Sequence, residues 1–231
     1  MLGKRPLLET DALNSENLRS LALYVSKQLD SLFPSEGLDL DLENISHILP
    51  STIARLSPIL GAAHCFKDSL FEYYNSLQYA TFLYLLANEQ WRRGFDAILS
   101  ERLFCLNKAL NSIDLYYSVQ LPEVFLISHG VGSVIGNAQY GDRLVVFQNV
   151  TVGRIGKLKP VIGENVVIYP GATITGKSVV GNNCVISAGT ILHNVIVPDN
   201  TIARLDNGKL TFQENRRDYV GLYLRSKTAT E

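Results

Sequence analysis

Residues 162–192 read IGENVVIYPGATITGKSVVGNNCVISAGTIL, and an aliphatic residue recurs in this stretch at every sixth position. A small or medium-sized residue lies four positions after each of the first five aliphatic residues. Such a period predicts a solenoid in which each hexad forms one short strand and a corner, and three hexads close a triangular coil. Each aliphatic side chain then stacks inside on the residue eighteen positions later. The aliphatic set is Ile162, Ile168, Ile174, Val180, Ile186 and Leu192, and the small set is Val166, Ala172, Ser178, Cys184 and Thr190.

The six-residue step extends upstream of this stretch. It recurs at Leu115, Leu121, Ile127 and Ser133, and it resumes one residue out of phase at Tyr140, Val146 and Val152. Ten residues separate Val152 from Ile162, and the excess forms a basic loop at 153–160. The turn clusters at intervals of 8–12 residues that are typical of a β-sandwich are missing. The pattern predicts a β-helix over 111–204, followed by a tail, 205–231, in which Asn207-Gly208 forms a tight hairpin turn.

Residues 1–110 have a helical pattern instead. Apolar residues spaced three or four apart predict a helix over about 15–33. Ser51 is expected to cap a short helix that Pro58 ends or kinks, and Asp68 to open a long helix that closes at Gly94. A last helix is expected over about 96–110. The fold class is therefore α+β, with an α-helical N-terminal domain, 1–110, followed by the β-helix.

Composition excludes several classes of function. The 231 residues contain 21 Lys and Arg against 22 Asp and Glu, so the basic excess of a nucleic-acid or anionic-membrane binder is missing. No apolar stretch reaches the roughly 18 residues of a membrane helix. The three cysteines are odd in number and widely spaced, which predicts a reducing compartment and no metal site. The first residues contain no signal-peptide core, so a cytoplasmic location is expected.

Three stretches carry a resemblance to a known family: LNKALNSID at 106–114, ISHGVGSVIGN at 127–137 and VFQNVTVG at 146–153. Over about 104–204 the chain resembles the hexapeptide-repeat acyltransferases with a left-handed parallel β-helix, and among them the serine acetyltransferases. The resemblance implies a homotrimer, with the helical half as a means of pairing two trimers into a hexamer. It also implies active sites in the grooves between subunits, with acetyl-CoA along each groove.

His129 is the candidate catalytic residue. It interrupts the inward and outward pattern, and the resembling enzymes carry their catalytic histidine at this place. Acyl transfer to a hydroxyl needs a general base, and imidazole titrates in the right range. Asp114 precedes His129 by fifteen residues, three short of one coil, and is the candidate that orients the imidazole. The alternative role for Asp114 is to cap the turn between the two halves of the chain.

The other histidines are not expected to be catalytic. His47 and His193 are interpreted as surface residues. His64 and Cys65 are adjacent in sequence, and adjacent residues rarely face each other as a nucleophile and its base.

The expected acetyl-CoA contacts are mostly small-residue corners. Tyr169-Pro-Gly-Ala172 and Ser187-Ala-Gly189 match corners that let a pantetheine arm approach the main chain in similar enzymes. Backbone amides near Gly153 are expected to stabilise the developing oxyanion. The alternative is that these corners serve only the geometry of the coil. The expected cofactor-binding residues are Gly153, Gly171, Ala172, Ala188, Gly189 and Arg204, with Lys157 and Lys159 as further partners of the nucleotide phosphates.

Three departures from the resembling enzymes concern the acceptor. Ser128 stands where they have an aspartate before the catalytic histidine. The loop Gly153–Pro160 is shorter and contains no histidine, so Lys159 or Arg154 is the replacement for one charge. The tail ends without the isoleucine by which the family docks its sulfhydrylase partner, so that complex is not expected.

These departures keep the acetyl-transfer half of the site and alter the amino-acid-binding half. The expected function is an acetyl-CoA-dependent O-acetyltransferase that needs no metal. Its expected acceptor is a sugar hydroxyl of a surface polysaccharide or its precursor, held by Ser128, Asn149 and Lys159. One alternative is a divergent serine O-acetyltransferase of cysteine biosynthesis. A second alternative is a non-catalytic trimeric scaffold.

Overall fold

The computed structural model describes residues 7–9, 14–35, 38–67, 70–94 and 97–226. The chain divides into two compact units. The helical unit comprises Met1–Gly61, Phe66–Asn111 and Tyr116–Ser118, and the β-helix unit comprises Ala62–Cys65, Ser112–Leu115 and Val119–Glu231.

The helical unit is built from α1 (Ser15–Leu32), α2 (Leu38–Ala62), α3 (Ser76–Arg92) and α4 (Ala97–Asn111). Two short antiparallel strands, β1 (Leu7–Glu9) and β2 (Leu70–Glu72), accompany the helices. The predicted helices over 15–33 and 96–110 are confirmed within a residue or two. Asn14 caps α1, because its side chain accepts a hydrogen bond from the Asn17 amide at 2.8 Å. No helix in the described parts of the chain is long and apolar enough to cross a membrane.

Two helix predictions are wrong. The expected short helix at Ser51 is part of α2, which continues through Pro50 and Pro58. Burial of its apolar face offsets the hydrogen bonds that the two prolines remove; the buried residues are Ile45, Ile48, Leu49, Ile53, Leu56, Ile59 and Leu60. The helix expected from Asp68 begins only at Ser76, because the chain first forms β2 and Asn75 then provides the cap. Asp68 itself lies outside the described residues.

The β-helix unit has three parallel sheets along its sides. Sheet 1 contains β3 (Phe125–Ile127), β6 (Leu144–Val146), β9 (Val167–Ile168), β12 (Val185–Ile186) and β15 (Thr201–Asp206). Sheet 2 contains β4 (Val134–Ile135), β7 (Thr151–Gly153), β10 (Thr173–Thr175) and β13 (Ile191–His193). Sheet 3 contains β5 (Gln139–Tyr140), β8 (Val161–Ile162), β11 (Val179–Val180) and β14 (Ile196–Val197). The predicted architecture, helices followed by a left-handed parallel β-helix, is confirmed.

The inward aliphatic column is also as predicted. Ile162 pairs with Val180, and Ile174 pairs with Leu192, each eighteen residues later. All six aliphatic residues of the defining stretch are at most 2% exposed. Coil-to-coil backbone hydrogen bonds and stacked aliphatic side chains therefore hold the solenoid together.

The register of the six-residue repeat upstream of Tyr140 differs from the prediction. Ile135, not Ser133, pairs with Val152 in sheet 2, so the stretch from Ile127 to Ile135 contains two more residues than one hexad. Among the described residues, Leu121 is in no strand, and between Ser112 and Val124 the strand pairing consists of an isolated bridge from Asp114 to Val134. The repeat therefore starts with an irregular first coil.

The last strand turns back on itself. β16 (Lys209–Glu214) pairs antiparallel with β15, and Asp206 lies opposite Lys209. The two residues between them, Asn207 and Gly208, have φ of +49° and +76°, the left-handed conformation that a two-residue hairpin turn requires. The chain then continues through a short 3-10 helix, Val220–Leu222, to a bridge between Leu224 and Ala63.

The column can be tested with matched leucine substitutions. Leu192 is fully buried, whereas Leu222 is 63% exposed. Leu192→Ala is expected to lower the free energy of unfolding by about 2–5 kcal/mol, because it leaves a cavity in the stacked core. Leu222→Ala is expected to change it by less than about 0.5 kcal/mol. Urea unfolding followed by circular dichroism measures both, and equal effects would contradict the stacking argument.

Candidate active site

Most of the predicted site residues lie on one edge of the β-helix. We call this edge, along which each coil passes from sheet 1 to sheet 2, the histidine corner. Its segments are 128–133, 147–150, 169–172 and 187–190. Arg204, on β15, follows the same edge one coil further on.

Backbone hydrogen bonds fix which residues share a place in successive coils. The Ser128 amide donates to the Val146 carbonyl at 2.7 Å, and the Phe147 amide donates to the Ile168 carbonyl at 3.0 Å. The Tyr169 amide repeats the pattern with Ile186 at 2.9 Å, and the Ser187 amide with Ala203 at 2.9 Å. One column along the histidine corner therefore consists of Ser128, Phe147, Tyr169, Ser187 and Arg204.

His129 follows directly after this column, at the two-residue insertion of the first coil. It is exposed and has a φ of +52°, in the left-handed region that costs a non-glycine residue energy. Its carbonyl accepts a hydrogen bond from the Val131 amide at 2.6 Å, which closes a tight turn. The irregular turn thus presents an imidazole on the outside of an otherwise regular corner.

Asp114 lies on the segment next to this turn. Its amide donates to the Ser133 carbonyl at 2.9 Å, and its own carbonyl accepts from the Ile135 amide at 2.8 Å. The preceding residue, Ile113, packs against the turn: a Cβ built on Gly130 would lie 3.2 Å from the Ile113 side chain. The pairing partner of Asp114 is twenty residues later, so Asp114 begins sheet 2 and His129 lies at the corner before that sheet. Asp114 follows Ile113 in sequence, and His129 precedes Gly130. The contact between Ile113 and Gly130 therefore brings the segments of Asp114 and His129 together.

Asn149 stacks over the same turn from the next coil. Its amide donates to the Val131 carbonyl at 3.0 Å. Its side chain is so close to Gly132 that a Cβ there would be 2.3 Å from Asn149 Oδ1. Gly132 also has a φ of +73°, so only glycine fits without strain. Ser128, His129 and Asn149 are therefore brought together at one corner.

The corners expected to take the pantetheine arm lie along the same edge. Gly171 and Gly189 are adjacent, since a Cβ on Gly171 would be 3.8 Å from the Gly189 nitrogen. Gly171, Ala188 and Gly189 are exposed, so a ligand can reach their backbone. Ala172 is different: it is fully buried, its amide donates to Tyr169 and its carbonyl accepts from Thr151.

Gly153 and Lys159 lie at a different edge. Gly153 ends β7, and residues 154–160 join sheet 2 to sheet 3. Ile155 and Leu158 exchange two backbone hydrogen bonds, of 2.8 and 3.0 Å, so the basic loop is a tight hairpin. Arg154, Lys157 and Lys159 are exposed on it. Within one chain, the fold does not bring Lys159 to His129.

An aromatic cluster at the histidine corner was not predicted from the sequence. The rings of Phe147 and Tyr169 stack with centroids 5.2 Å apart and an interplanar angle of 22°. Tyr223 meets Phe147 edge-on at 5.2 Å, and its hydroxyl lies 3.0 Å from that of Tyr169. The spacing of 22 residues between Phe147 and Tyr169 was a usable signal, because it equals one coil plus the loop excess. Tyr223 had no such signal, since the tail is outside the repeat.

The other histidines have structural contacts. His64 Nε2 lies 3.2 Å from the Gly221 carbonyl, and the His64 amide donates to the Tyr223 carbonyl at 2.9 Å. His193 contacts Thr175 Oγ1 at 3.1 Å and the Asn194 side chain at 2.9 Å. Among the residues that the structure describes, no group of three His, Cys, Asp or Glu side chains is arranged to hold a metal ion.

Comparison with known proteins identifies the repeats. Residues 159–194 match the family described as bacterial transferase hexapeptide (six repeats). A serine acetyltransferase of Staphylococcus xylosus is 28% identical over 144 residues, which are 60% of this chain and 66% of that protein. A serine acetyltransferase of Synechococcus elongatus is 29% identical over 125 residues, 52% of this chain and 51% of that protein. The chain thus matches about half to two thirds of the length of these relatives.

Solved structures share the fold over a longer span. The serine acetyltransferase of Neisseria gonorrhoeae superposes with a TM-score of 0.71 and 20% identity, covering 92% of this chain and 84% of that one. That of Vibrio cholerae superposes with a TM-score of 0.69 and 21% identity, covering 86% and 80%. The chain therefore contains hexapeptide repeats within a β-helix, and it resembles serine acetyltransferases in sequence and in fold.

Proposed function

We propose that this protein is an acetyl-CoA-dependent O-acetyltransferase in which His129 is the general base. The observation that carries the proposal is the histidine corner: an exposed imidazole on an irregular turn, followed along the same edge by Gly171, Ala188 and Gly189, whose exposed backbone carries no bulky side chain. A thioester arm lying along this edge would end beside the imidazole. The similarity to serine acetyltransferases in sequence and in fold supports the same reaction class.

The chemistry assigned to His129 follows from the weakness of an alcohol as a nucleophile. The imidazole takes the proton of the acceptor hydroxyl as the oxygen attacks the thioester carbonyl. The carbon–sulfur bond then breaks, and the imidazolium returns the proton to the departing thiolate. We assign to Asp114 the role of holding the imidazole tautomer and stabilising its charge. Backbone amides near Gly153 are proposed as donors to the oxyanion.

The proposed acetyl-CoA contacts fall into two groups. Gly171, Ala188 and Gly189 offer backbone along the histidine corner, and Arg204 offers a charge at its far end. Gly153 and the basic loop belong to the edge between sheets 2 and 3. A single ligand that uses both groups needs two chains, with the loop of one beside the histidine corner of the next.

Exposed apolar side chains support a homotrimer of this kind. The outward residues of sheet 1 are buried within the chain, namely Leu126, Val145, Val167 and Val185. In contrast, sheet 2 exposes Val134 and Ile191, and sheet 3 exposes Val179 and Ile196. Apolar faces of this type are the usual signature of an interface with another chain.

The names of the relatives favour L-serine as the acceptor. Every named relative given above is a serine acetyltransferase, which makes a serine O-acetyltransferase the first candidate. A sugar hydroxyl is the second candidate, and residues of this chain favour it. Ser128 beside His129 is uncharged, the basic loop has no histidine, and aromatic rings line the same corner. A zwitterionic amino acid needs charged partners, whereas a sugar needs neutral ones.

The base assignment is tested by thiol release from acetyl-CoA, with L-serine and a set of methyl glycosides as acceptors. His129→Ala is expected to lower kcat by about 10²–10⁴-fold, the usual contribution of a general base. Asp114→Asn is expected to lower it less, because the imidazole stays in place. His193→Ala is the matched control and is expected to keep the wild-type rate.

Each outcome of this assay has a consequence. If His129→Ala keeps more than about a tenth of the wild-type kcat, the base is another group. Turnover of serine alone assigns the acceptor to the amino acid, and turnover of glycosides alone assigns it to sugars. If the wild-type protein releases no thiol with any acceptor, the non-catalytic scaffold is the remaining function.

The substitution Gly153→Ala tests whether acetyl-CoA lies against the backbone of Gly153, without changing the stability of the fold. Apart from its two neighbours in sequence, no described residue has an atom within 4 Å of a Cβ on Gly153, so the variant is expected to fold as well as the wild type. If acetyl-CoA lies against this backbone, its KM is expected to rise about tenfold, since one displaced contact of about 1.4 kcal/mol has that effect. Gly61→Ala, in α2 and equally free of neighbours, is the control. An unchanged KM would remove Gly153 from the site.

The oligomer is tested at sheet 3. Ile196 is 70% exposed in the single chain. If it packs against another copy, Ile196→Glu buries a carboxylate and is expected to dissociate the assembly. Leu222→Glu, on a leucine outside the sheets that is 63% exposed, is the control. Light scattering at micromolar concentration measures the mass and distinguishes a trimer from a pair of trimers; a wild-type monomer would contradict the proposal.

A further inference from the structure

The aromatic cluster at the histidine corner, Phe147, Tyr169 and Tyr223, has no part in the mechanism above. Phe147 and Tyr169 occupy the same place in successive coils. Their centroid separation of 5.2 Å is close to the roughly 4.8 Å between neighbouring strands, so their rings stack as rungs of one ladder. Because Tyr169 covers one face of Phe147, the other face is turned toward the preceding coil.

The residue at that place in the preceding coil is Ser128. Among the described residues, no ring stacks on that second face of the partly buried Phe147, and Tyr223 meets Phe147 edge-on. The ladder of rings therefore ends at Ser128, and we call the place beside that face, where a further ring would continue the ladder, the gap. His129 follows Ser128 directly, so the gap opens beside the proposed general base.

We propose that this gap binds a six-membered sugar ring of the acceptor, stacked on Phe147, with one ring hydroxyl presented to His129. The proposal rests on the proposed acetyl transfer. The C–H bonds on the face of a pyranose carry a small positive charge, and the face of an aromatic ring carries a negative one. An open-chain amino acid has no flat face of this size, so the ladder selects rings.

The surroundings of the gap suit a neutral, hydroxyl-rich ligand. Burial, together with the hydrogen bond to Tyr223, raises the pKa of Tyr169, so its phenol stays uncharged. The neighbouring Ser128 and Gln148 are also uncharged.

The C-terminal segment holds the cluster in position. The carbonyl of Tyr223 accepts a hydrogen bond from the His64 amide, and Leu224 forms a bridge with Ala63. Arg143 also donates to the Arg225 carbonyl at 2.7 Å. Because Tyr223 is held from its own backbone and from the next residues, its ring fixes the tilt of Phe147 before any ligand binds. A preformed aromatic face loses little entropy when a ring stacks on it.

The test is binding to the full chain, measured by saturation-transfer NMR. The probes are the methyl pyranosides of glucose, galactose, mannose and N-acetylglucosamine, with galactitol as the open-chain control. At least one glycoside is expected to bind, with the strongest transfer to the C–H protons of one ring face. Phe147→Leu is expected to weaken that binding by about 2- to 12-fold, which corresponds to the ~0.5–1.5 kcal/mol of an aromatic contact.

Two further variants make the result specific. Phe212→Leu changes an exposed phenylalanine of β16 outside the ladder, and it is expected to bind glycosides like the wild type. Ser128→Phe fills the gap with a protein ring and is expected to abolish binding, while circular dichroism reports whether the fold is kept. The proposal is overturned if no glycoside binds, if Phe147→Leu binds like the wild type, or if galactitol binds as well as the glycosides.

Thiol release separates this proposal from the proposed function. If glycosides bind by this pattern but acetyl-CoA is never consumed, the acetyl transfer is wrong and the ring site stands. If serine is acetylated in a His129-dependent reaction and no glycoside binds, the enzyme stands and the ring site is overturned.

Discussion

The stacking of each coil on the next is the constraint on which the β-helix unit depends. Ile168 lies against Ile186, and Ile174 against Leu192, while each backbone strand is paired with the strand above and below. A residue's place in its coil therefore fixes the edge on which it appears. Any two residues at the same place in adjacent coils are about 4.8 Å apart, whatever their distance in sequence. A functional site in such a fold is therefore built from residues of the same column.

The proposed catalytic residue lies where the hexapeptide repeat is interrupted. The insertion between Ile127 and Ile135 pushes His129 out of the repeat, and the contacts of Gly130 and Gly132 leave no room for side chains there. The left-handed His129 costs about 1–2 kcal/mol, which the surrounding regular coils offset. The basic loop after Gly153 and the tail after Arg204 are further interruptions. Regular hexads thus supply rigidity, and interruptions supply the groups that meet ligands.

The features that could be predicted from the sequence are those with a local or periodic pattern. The period of six, the eighteen-residue stacking and the helices at 15–33 and 96–110 depend on local or strictly periodic patterns, and they were predictable. The start of α3 was not, because β2 needs β1 from the other end of the helical unit as its partner. The passage of α2 through two prolines was not, because burial of a whole face decided it. The cluster with Tyr223 depends on a tail that lies outside any period.

The tail links the stability of the solenoid to its proposed acceptor site. An open last strand in sheet 1 would expose unpaired backbone groups, which is the usual hazard of a sheet edge. β16 covers that edge by pairing with β15 over its whole length. Asn215, directly after β16, donates to the Asn183 carbonyl at 3.0 Å, so the chain is redirected along the solenoid instead of away from it. The segment that closes the edge is consequently the one that brings Tyr223 to Phe147, so a loss of the hairpin would also disturb the aromatic face.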